Sequence, residues 1–158
     1  MKHILSVVVE NRPGVLARVV GLISGRGYNI DSLNVAPTQD TTTSRITMVV
    51  PGDDHVLEQV TKQLNKLVDV IKVNDLTGER YLGRELMLVK VAAGVKNRTP
   101  VLELVTLFNA RVVGVQSKSL TIRMVGISED VDNLLDLLRP YGILELSRSG
   151  VIVLARQD

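Results

Sequence analysis

Apolar positions along the chain fall into two rhythms that alternate in a regular order. Ile4 to Val9 is a largely β-branched run that reads as a strand. After the polar knot Asn11-Arg12-Pro13-Gly14, residues Val15, Leu16, Val19, Val20, Leu22 and Ile23 recur at helical spacing until Gly25-Arg26-Gly27 stops them. Ile30 to Ala36 alternates apolar and polar side chains, Pro37 to Thr43 is a polar connection, and Arg45 to Val50 is a β run closed by Pro51-Gly52-Asp53, which together predict a hairpin. Val56, Leu57, Val60, Leu64, Leu67 and Val68 then predict an amphipathic helix, and Val70 to Val73 a short strand. The order is βαββαβ.

The same order returns. Leu86 to Val91 reads as a strand, Pro100 to Phe108 as a helix, Val112 to Gln116 and Leu120 to Val125 as paired strands, Val131 to Leu138 as a helix, and Ile143 to Leu154 as a closing β region. Thr99 is placed to cap the first of these helices with Pro100 at its first position, and Ser128-Glu129-Asp130 to cap the second with acids in its first turn. Periodicity lapses over residues 77–84, so the expected division is a first domain at 1–76, a linker at 77–84 and a second domain at 85–158. The fold class is α+β, two ferredoxin-like βαββαβ sandwiches in tandem, with helices on one face of each antiparallel sheet. A bare sheet face and open edges predict a homodimer.

Composition narrows the picture. Hydrophobic residues are 45% of the 158 but aromatics only 3%, so the cores are built from Val, Leu and Ile. Net charge is +2 with both signs interspersed, which argues against nucleic-acid binding. Cys is absent, the run MKHILSVVVEN is too short and too soon interrupted by charge for a signal peptide, and no apolar run reaches membrane-spanning length. The expectation is a soluble cytoplasmic protein with no membrane association.

Catalytic chemistry is hard to assemble from these residues. His3 and His55 have no second His or Cys at ligand spacing, and the acid pairs Asp53-Asp54 and Glu129-Asp130 sit at helix starts, where capping accounts for them. Gly25-Arg-Gly27-Tyr-Asn-Ile30 fails as a dinucleotide fingerprint: Ile30 holds the third glycine position, and the glycines lead from a helix into a strand. No metal, no cofactor and no active site is expected on this chain.

The knot has two readings. Asn11 and Pro13 suit the start of a helix, so it can be a capped turn and nothing more. Equally, unpaired N–H groups and the helix dipole favour a carboxylate there, and Gly14 admits close approach to the backbone. Tyr28-Asn29-Ile30, near the far end of the same helix, adds a polar amide that a two-fold partner could bring against the knot. Such a site supports micromolar to millimolar affinity, from about 1.5 to 3 kcal/mol per charge-assisted bond and a similar amount for a Val-sized side chain, less the costs of association.

These residues carry a family resemblance. Asn11-Arg-Pro-Gly-Val-Leu-Ala-Arg-Val followed by Ser24-Gly-Arg-Gly-Tyr-Asn-Ile, in a βαββαβ unit, resembles an ACT domain, a small module that binds amino acids. Arg26-Gly-Tyr-Asn-Ile-Asp-Ser-Leu-Asn-Val-Ala-Pro-Thr, Ser44-Arg-Ile-Thr, Lys62-Gln-Leu-Asn-Lys-Leu-Val-Asp-Val and Arg84-Glu-Leu-Met-Leu-Val-Lys-Val resemble the small regulatory subunits of acetolactate synthase (acetohydroxyacid synthase). After Ala92 the likeness rests mainly on element order and Arg148-Ser-Gly, and Gly83 stands where the family has an acid. The resemblance implies a non-catalytic subunit of a transferase in branched-chain amino-acid synthesis, one that binds and activates a large catalytic subunit and confers feedback inhibition by valine. It implies thiamine diphosphate, magnesium and FAD on that partner and none here. It places valine across a dimer interface, between Asn11, Pro13, Gly14, Val15 and Leu16 of one chain and Asn29 and Ile30 of the other. The polar connection, with Thr38, Gln39 and Asp40, is either a solvated turn or a contact for the large subunit. A free-standing amino-acid sensor or transcriptional regulator is the rival, but no basic helix or helix-turn-helix pattern accompanies the repeats. A small enzyme of ferredoxin-like fold would need the missing catalytic constellation.

Overall fold

In the computed structural model, which describes residues 1–78 and 80–156, both predicted repeats form. Glu79 of the expected linker and Gln157 and Asp158 of the expected second domain lie outside the described residues. The first repeat runs β1 (Lys2–Glu10), α1 (Val15–Ser24), β2 (Ser32–Pro37), β3 (Thr43–Pro51), α2 (Asp54–Leu64) and β4 (Val70–Asp75). Its strands pair antiparallel in the order β2-β3-β1-β4. The β1/β3 register sets Leu5 opposite Met48 and Val7 opposite Ile46, so the alternating side chains of both strands share one face. On that face they meet Val15, Val19 and Ile23 of α1 and Val60 and Leu64 of α2, all buried. Each such side chain contributes about 1.5 to 3 kcal/mol on burial, which is how a core of aliphatic residues holds the layers together.

The second repeat runs β5 (Tyr81–Ala92), α3 (Arg98–Leu107), β6 (Arg111–Val115), β7 (Ser119–Gly126), α4 (Ser128–Leu138), a 3-10 turn (Arg139–Tyr141) and β8 (Ile143–Ala155), with strand order β6-β7-β5-β8. Met87, Val89 and Val91 of β5 and Leu120, Ile122 and Met124 of β7 face Val101 and Val105 of α3 and Val131, Leu134, Leu135 and Leu138 of α4. The chain falls into two compact units, Met1–Leu82 with Val151–Asp158, and Gly83–Gly150. The first unit has a second small cluster on the far face of its sheet, where Val151 and Val153 pack with Ile4, Val49 and Leu76, and Asn34 Nδ2 donates to the Val151 carbonyl at 3.4 Å. Periodicity groups those two valines with the second repeat; their packing sets them in the first unit.

Several local expectations change. Helix α2 stops at Leu64, with Asn65 as its C-cap, so Leu67 and Val68 lie beyond it. Leu67 still packs on the core from the turn and Val68 is solvent-exposed, so one residue keeps the helical rhythm without being helical. Thr99 is not the cap of α3: the helix begins at Arg98 with Asn97 before it and no side-chain cap. Pro100 is then the third helical residue, where its missing N–H is still not needed. Ser128 is not a cap either, since its hydroxyl donates to Glu85 Oε2 at 2.9 Å. Asp53 does cap α2, accepting from the Val56 N–H at 3.0 Å. Residues Tyr81 to Arg84, expected as linker, belong to β5. His3 is fully buried, and because both partners of its Nε2 are carbonyl oxygens, Gly52 at 3.0 Å and Asp53 at 3.1 Å, Nε2 carries the hydrogen and anchors the first strand to the α2 entry turn.

Candidate functional site

The knot leads into α1 through Gly14, whose φ of +84° is the left-handed region that glycine enters without strain. No side chain caps this helix. The reading of Asn11 as a helix cap is therefore corrected: its Nδ2 donates to the Thr41 carbonyl at 3.0 Å, and its backbone N–H to the Thr42 carbonyl at 2.8 Å. Pro13 brings no N–H, and the Val15 N–H reaches the Arg12 carbonyl only at 3.4 Å. Among the described residues, the N–H groups of Gly14, Leu16 and Ala17 meet no protein acceptor. Three donors at the positive end of a helix dipole are thus presented together.

A cation stands beside them. Arg18, one turn along α1, donates through Nε at 2.9 Å and Nη2 at 2.6 Å to Asp69 Oδ2, and Arg12 Nη2 lies 3.6 Å from Asp69 Oδ1. Asp69 thereby fixes the guanidinium while Nη1 has no acceptor among the described residues, and it lies so close to Gly14 that a Cβ added there would sit 3.2 Å from it. Neither Arg18 nor Asp69 is among the site residues expected from the sequence. The four-residue step from Gly14 to Arg18, which stacks them on one helix face, was the available signal for the first; nothing in sequence joins it to a partner 51 residues away.

The other expected residues are placed as follows. Val15 turns its side chain into the core, 3% exposed, so it offers only backbone, whereas Leu16 is exposed beside the knot. Asn29 and Ile30 follow the far end of α1, where Gly27 at φ +79° turns the chain. Asn29 Nδ2 donates to Asp31 Oδ1 at 3.3 Å, Asp31 also pairs with Lys2, and Ile30 leans on the core. A helix of ten residues spans roughly 15 Å, so the knot and Asn29-Ile30 stay apart within one chain.

Thr38, Gln39 and Asp40 lie at the tip of the β2/β3 hairpin, which is closed by its own hydrogen bonds. Thr38 and Thr43 share a hydroxyl hydrogen bond of 2.6 Å, the Thr43 N–H reaches the Asp40 carbonyl at 2.9 Å, and Asp40 Oδ1 accepts from the Thr42 hydroxyl at 2.7 Å and N–H at 3.0 Å. Those two bonds, the hydroxyl one first, hold the Asp40 carboxyl below its ordinary value of 3.8. Its charge and the bonds it accepts therefore persist at neutral pH and are lost only as pH falls through that lowered value. Gln39 is exposed and joins none of these bonds.

A second polar cluster sits in the second unit. Glu85, 4% exposed, accepts from Arg148 Nε and, at 3.0 Å, from Nη2, and Arg148 Nη1 lies 2.7 Å from Asp132. The bonds to Glu85, followed by those to Asp132, raise the Arg148 pKa above the ordinary guanidinium value despite partial burial, so this cation does not titrate. Among the described residues no group of His, Cys, Asp and Glu is arranged for a metal ion, and no helix is long and apolar enough to cross a membrane.

Residues 5–72 match the family described as the AHAS small subunit-like ACT domain, and residues 84–157 the family described as small subunit of acetolactate synthase. A probable acetolactate synthase small subunit of Archaeoglobus fulgidus is 49% identical over 99% of this chain and 98% of its own length. The acetolactate synthase small subunit of Mycolicibacterium smegmatis is 49% identical over 98% and 91%, and the isozyme 3 small subunit of Salmonella typhimurium 46% identical over 100% and 98%. The crystal structure of the Thermotoga maritima small subunit, 31% identical, superposes with a TM-score of 0.88 over 100% of this chain and 99% of that one.

Proposed function

Because the chain belongs to the acetolactate synthase small-subunit family, with an ACT domain as its first repeat, we propose that it is the non-catalytic regulatory partner of a large acetolactate synthase subunit in the cytoplasm. In this role it activates that subunit and makes it sensitive to valine. Thiamine diphosphate, magnesium and FAD belong to the catalytic partner.

The observation that carries the effector site is the start of α1: three N–H donors without protein acceptors, a left-handed glycine that leaves them open, and the Arg18 guanidinium beside them. This arrangement suits the carboxylate of an amino acid. It does not supply the rest of a binding site, since Val15 is in the core and Asn29 and Ile30 are a helix length away. A second copy of the chain completes the site by bringing its Asn29 and Ile30 to the knot, where the Asn29 amide meets the ammonium group. Leu16 and Ile30 then select a short branched side chain. The hairpin tip, with Thr38, Gln39 and Asp40, meets the large subunit. Valine inhibits because it and the catalytic subunit favour different geometries of the ACT pair, and a coupling of about 1 to 3 kcal/mol is sufficient.

Calorimetric titration of valine into the purified chain tests the site. We expect saturable binding with a dissociation constant in the micromolar to millimolar range, about −4 to −8 kcal/mol. No heat and no thermal stabilisation at millimolar valine would remove the effector site. Exchanging Gln39 and Asp40 for Ala should weaken activation of the large subunit; unchanged activation would take the tip out of that contact.

A further inference from the structure

Asp69 is the residue before β4, and it meets the knot through both backbone and side chain. Its carbonyl accepts the Glu10 N–H at 2.9 Å, which ties it to the end of β1. Its carboxylate, with the side chain 17% exposed, takes two bonds from one guanidinium, since Arg18 Nε at 2.9 Å and Nη2 at 2.6 Å both reach Oδ2. A guanidinium is planar and rigid, so an acceptor held against its Nε and Nη2 edge settles where the third nitrogen stands. That nitrogen, Nη1, has no acceptor among the described residues and lies against Gly14. Without Asp69, a half-exposed arginine on a helix surface is free to sample many rotamers, and only some of them point at the knot.

Charge acts in the other direction. Asp69 stands between two cations, with Oδ1 3.6 Å from Arg12 Nη2, and its own negative charge repels an incoming carboxylate. Removing it makes the knot more positive at the same time as it releases Arg18. Orientation and charge therefore make opposite predictions for the affinity of an amino acid, and the sign of the effect tells them apart.

We propose that Asp69 is a positioning residue of the effector site: it aims Arg18 Nη1 at the effector's carboxylate, and this gain outweighs the repulsion of its own charge. The inference rests on the proposed effector site. It deepens that reading by naming Arg18 as the side chain that takes the carboxylate and Asp69 as the residue that readies it. Asp69 acts on the effector's affinity through Arg18, not as a ligand of its own.

The test is a double-mutant cycle on the full chain, read by NMR chemical-shift titration with valine, which follows weak binding. The valine concentration for half-inhibition of the holoenzyme reconstituted with its large subunit gives a second readout. Arg18→Ala should weaken binding about tenfold or more, the worth of a charge-assisted bond. Asp69→Ala should weaken it about three- to tenfold, because the ligand itself must then order a long side chain. In the Arg18→Ala background the effect of Asp69→Ala should vanish or change sign, leaving the dissociation constant the same or lower, since only the charge effect is left there. The backbone bond to Glu10 does not depend on the Asp69 side chain, and Asp69→Asn, which keeps the shape and loses the charge, repeats the cycle if the Ala variant folds poorly. Wild-type or tighter affinity in Asp69→Ala would overturn the inference. A loss that persists in full without Arg18 would also overturn it, as the mark of a merely structural role. Wild-type affinity in Arg18→Ala would take both side chains out of the site while leaving the N–H groups to hold the carboxylate. Wild-type chain that binds no valine would bring down the effector site itself, and this inference with it.

Discussion

Gly14→Asp should leave a folded chain that still activates the large subunit but has lost most of its response to valine. Two physical effects act together. The position has φ +84°, where an L side chain is strained, and the new Cβ would lie 3.2 Å from Arg18 Nη1. The larger effect is charge: a carboxylate set among the donors proposed for the effector's own carboxylate repels it by up to about 4 kcal/mol at 4 Å and an effective dielectric constant near 20. Screening and relaxation reduce this, and a net loss of about 2 to 3 kcal/mol corresponds to roughly 30-fold to 150-fold weaker binding. The measurement is the valine concentration for half-inhibition in the reconstituted holoenzyme, beside activation without valine. Half-inhibition within about threefold of the wild type would show that the anion site lies elsewhere. Asn29→His tests the other half from the opposite end of α1, and valine sensitivity unchanged in both variants would refute the whole placement.

The largest effect on stability is expected at Glu85. Its carboxylate is almost fully buried and accepts from Arg148 and from Ser128, so Glu85→Ala leaves a guanidinium without its main partner. Breaking a buried pair from one side costs about 3 to 5 kcal/mol. Here the Arg148 side chain is 28% exposed and keeps Asp132, so about 2 to 3 kcal/mol is the better figure. For a chain of this length that corresponds to a fall in Tm of roughly 4 to 12 °C. Arg148→Ala leaves a carboxylate that is only 4% exposed with the Ser128 hydroxyl as its remaining side-chain partner, so it should cost a similar amount, and the double variant should cost less than the two singles added. A change in Tm below about 1 °C for Glu85→Ala would show that the pair carries no stability.

What the sequence reveals and what it hides follow from the range of the forces involved. The βαββαβ order is written in hydrophobic periodicity, because each strand and helix must turn one face to its own core, and it is visible twice over. Ends of elements are less legible. Leu67 keeps the helical rhythm after α2 has stopped, since a turn residue can reach the same core. Ser128 and Thr99 have the chemistry of caps without the position of one. At Ser128 a buried carboxylate 43 residues away competes for the hydroxyl, and in α3 the helix begins before Thr99. Asn11 likewise has a cap's chemistry, but the hairpin tip takes its amide.

Glu85 itself was readable in principle. The alternation of Glu85, Met87, Val89 and Val91 along β5 puts an acid on the inward face, which demands a partner. Only folding shows that the partner is Arg148. The candidate site divides in the same way: Pro13 and Gly14 announce an unusual helix start, whereas the Arg18–Asp69 pair that furnishes its cation joins distant parts of the chain.

The central claim is regulation of a catalytic partner by an amino acid. It is tested most directly by mixing the purified chain with its cognate large acetolactate synthase subunit and measuring acetolactate formation with and without valine. The account predicts a clear rise in rate when the chain is added, and a fall in that raised rate as valine reaches micromolar to millimolar concentration. A rate that the chain leaves unchanged would contradict the account, whatever valine then does.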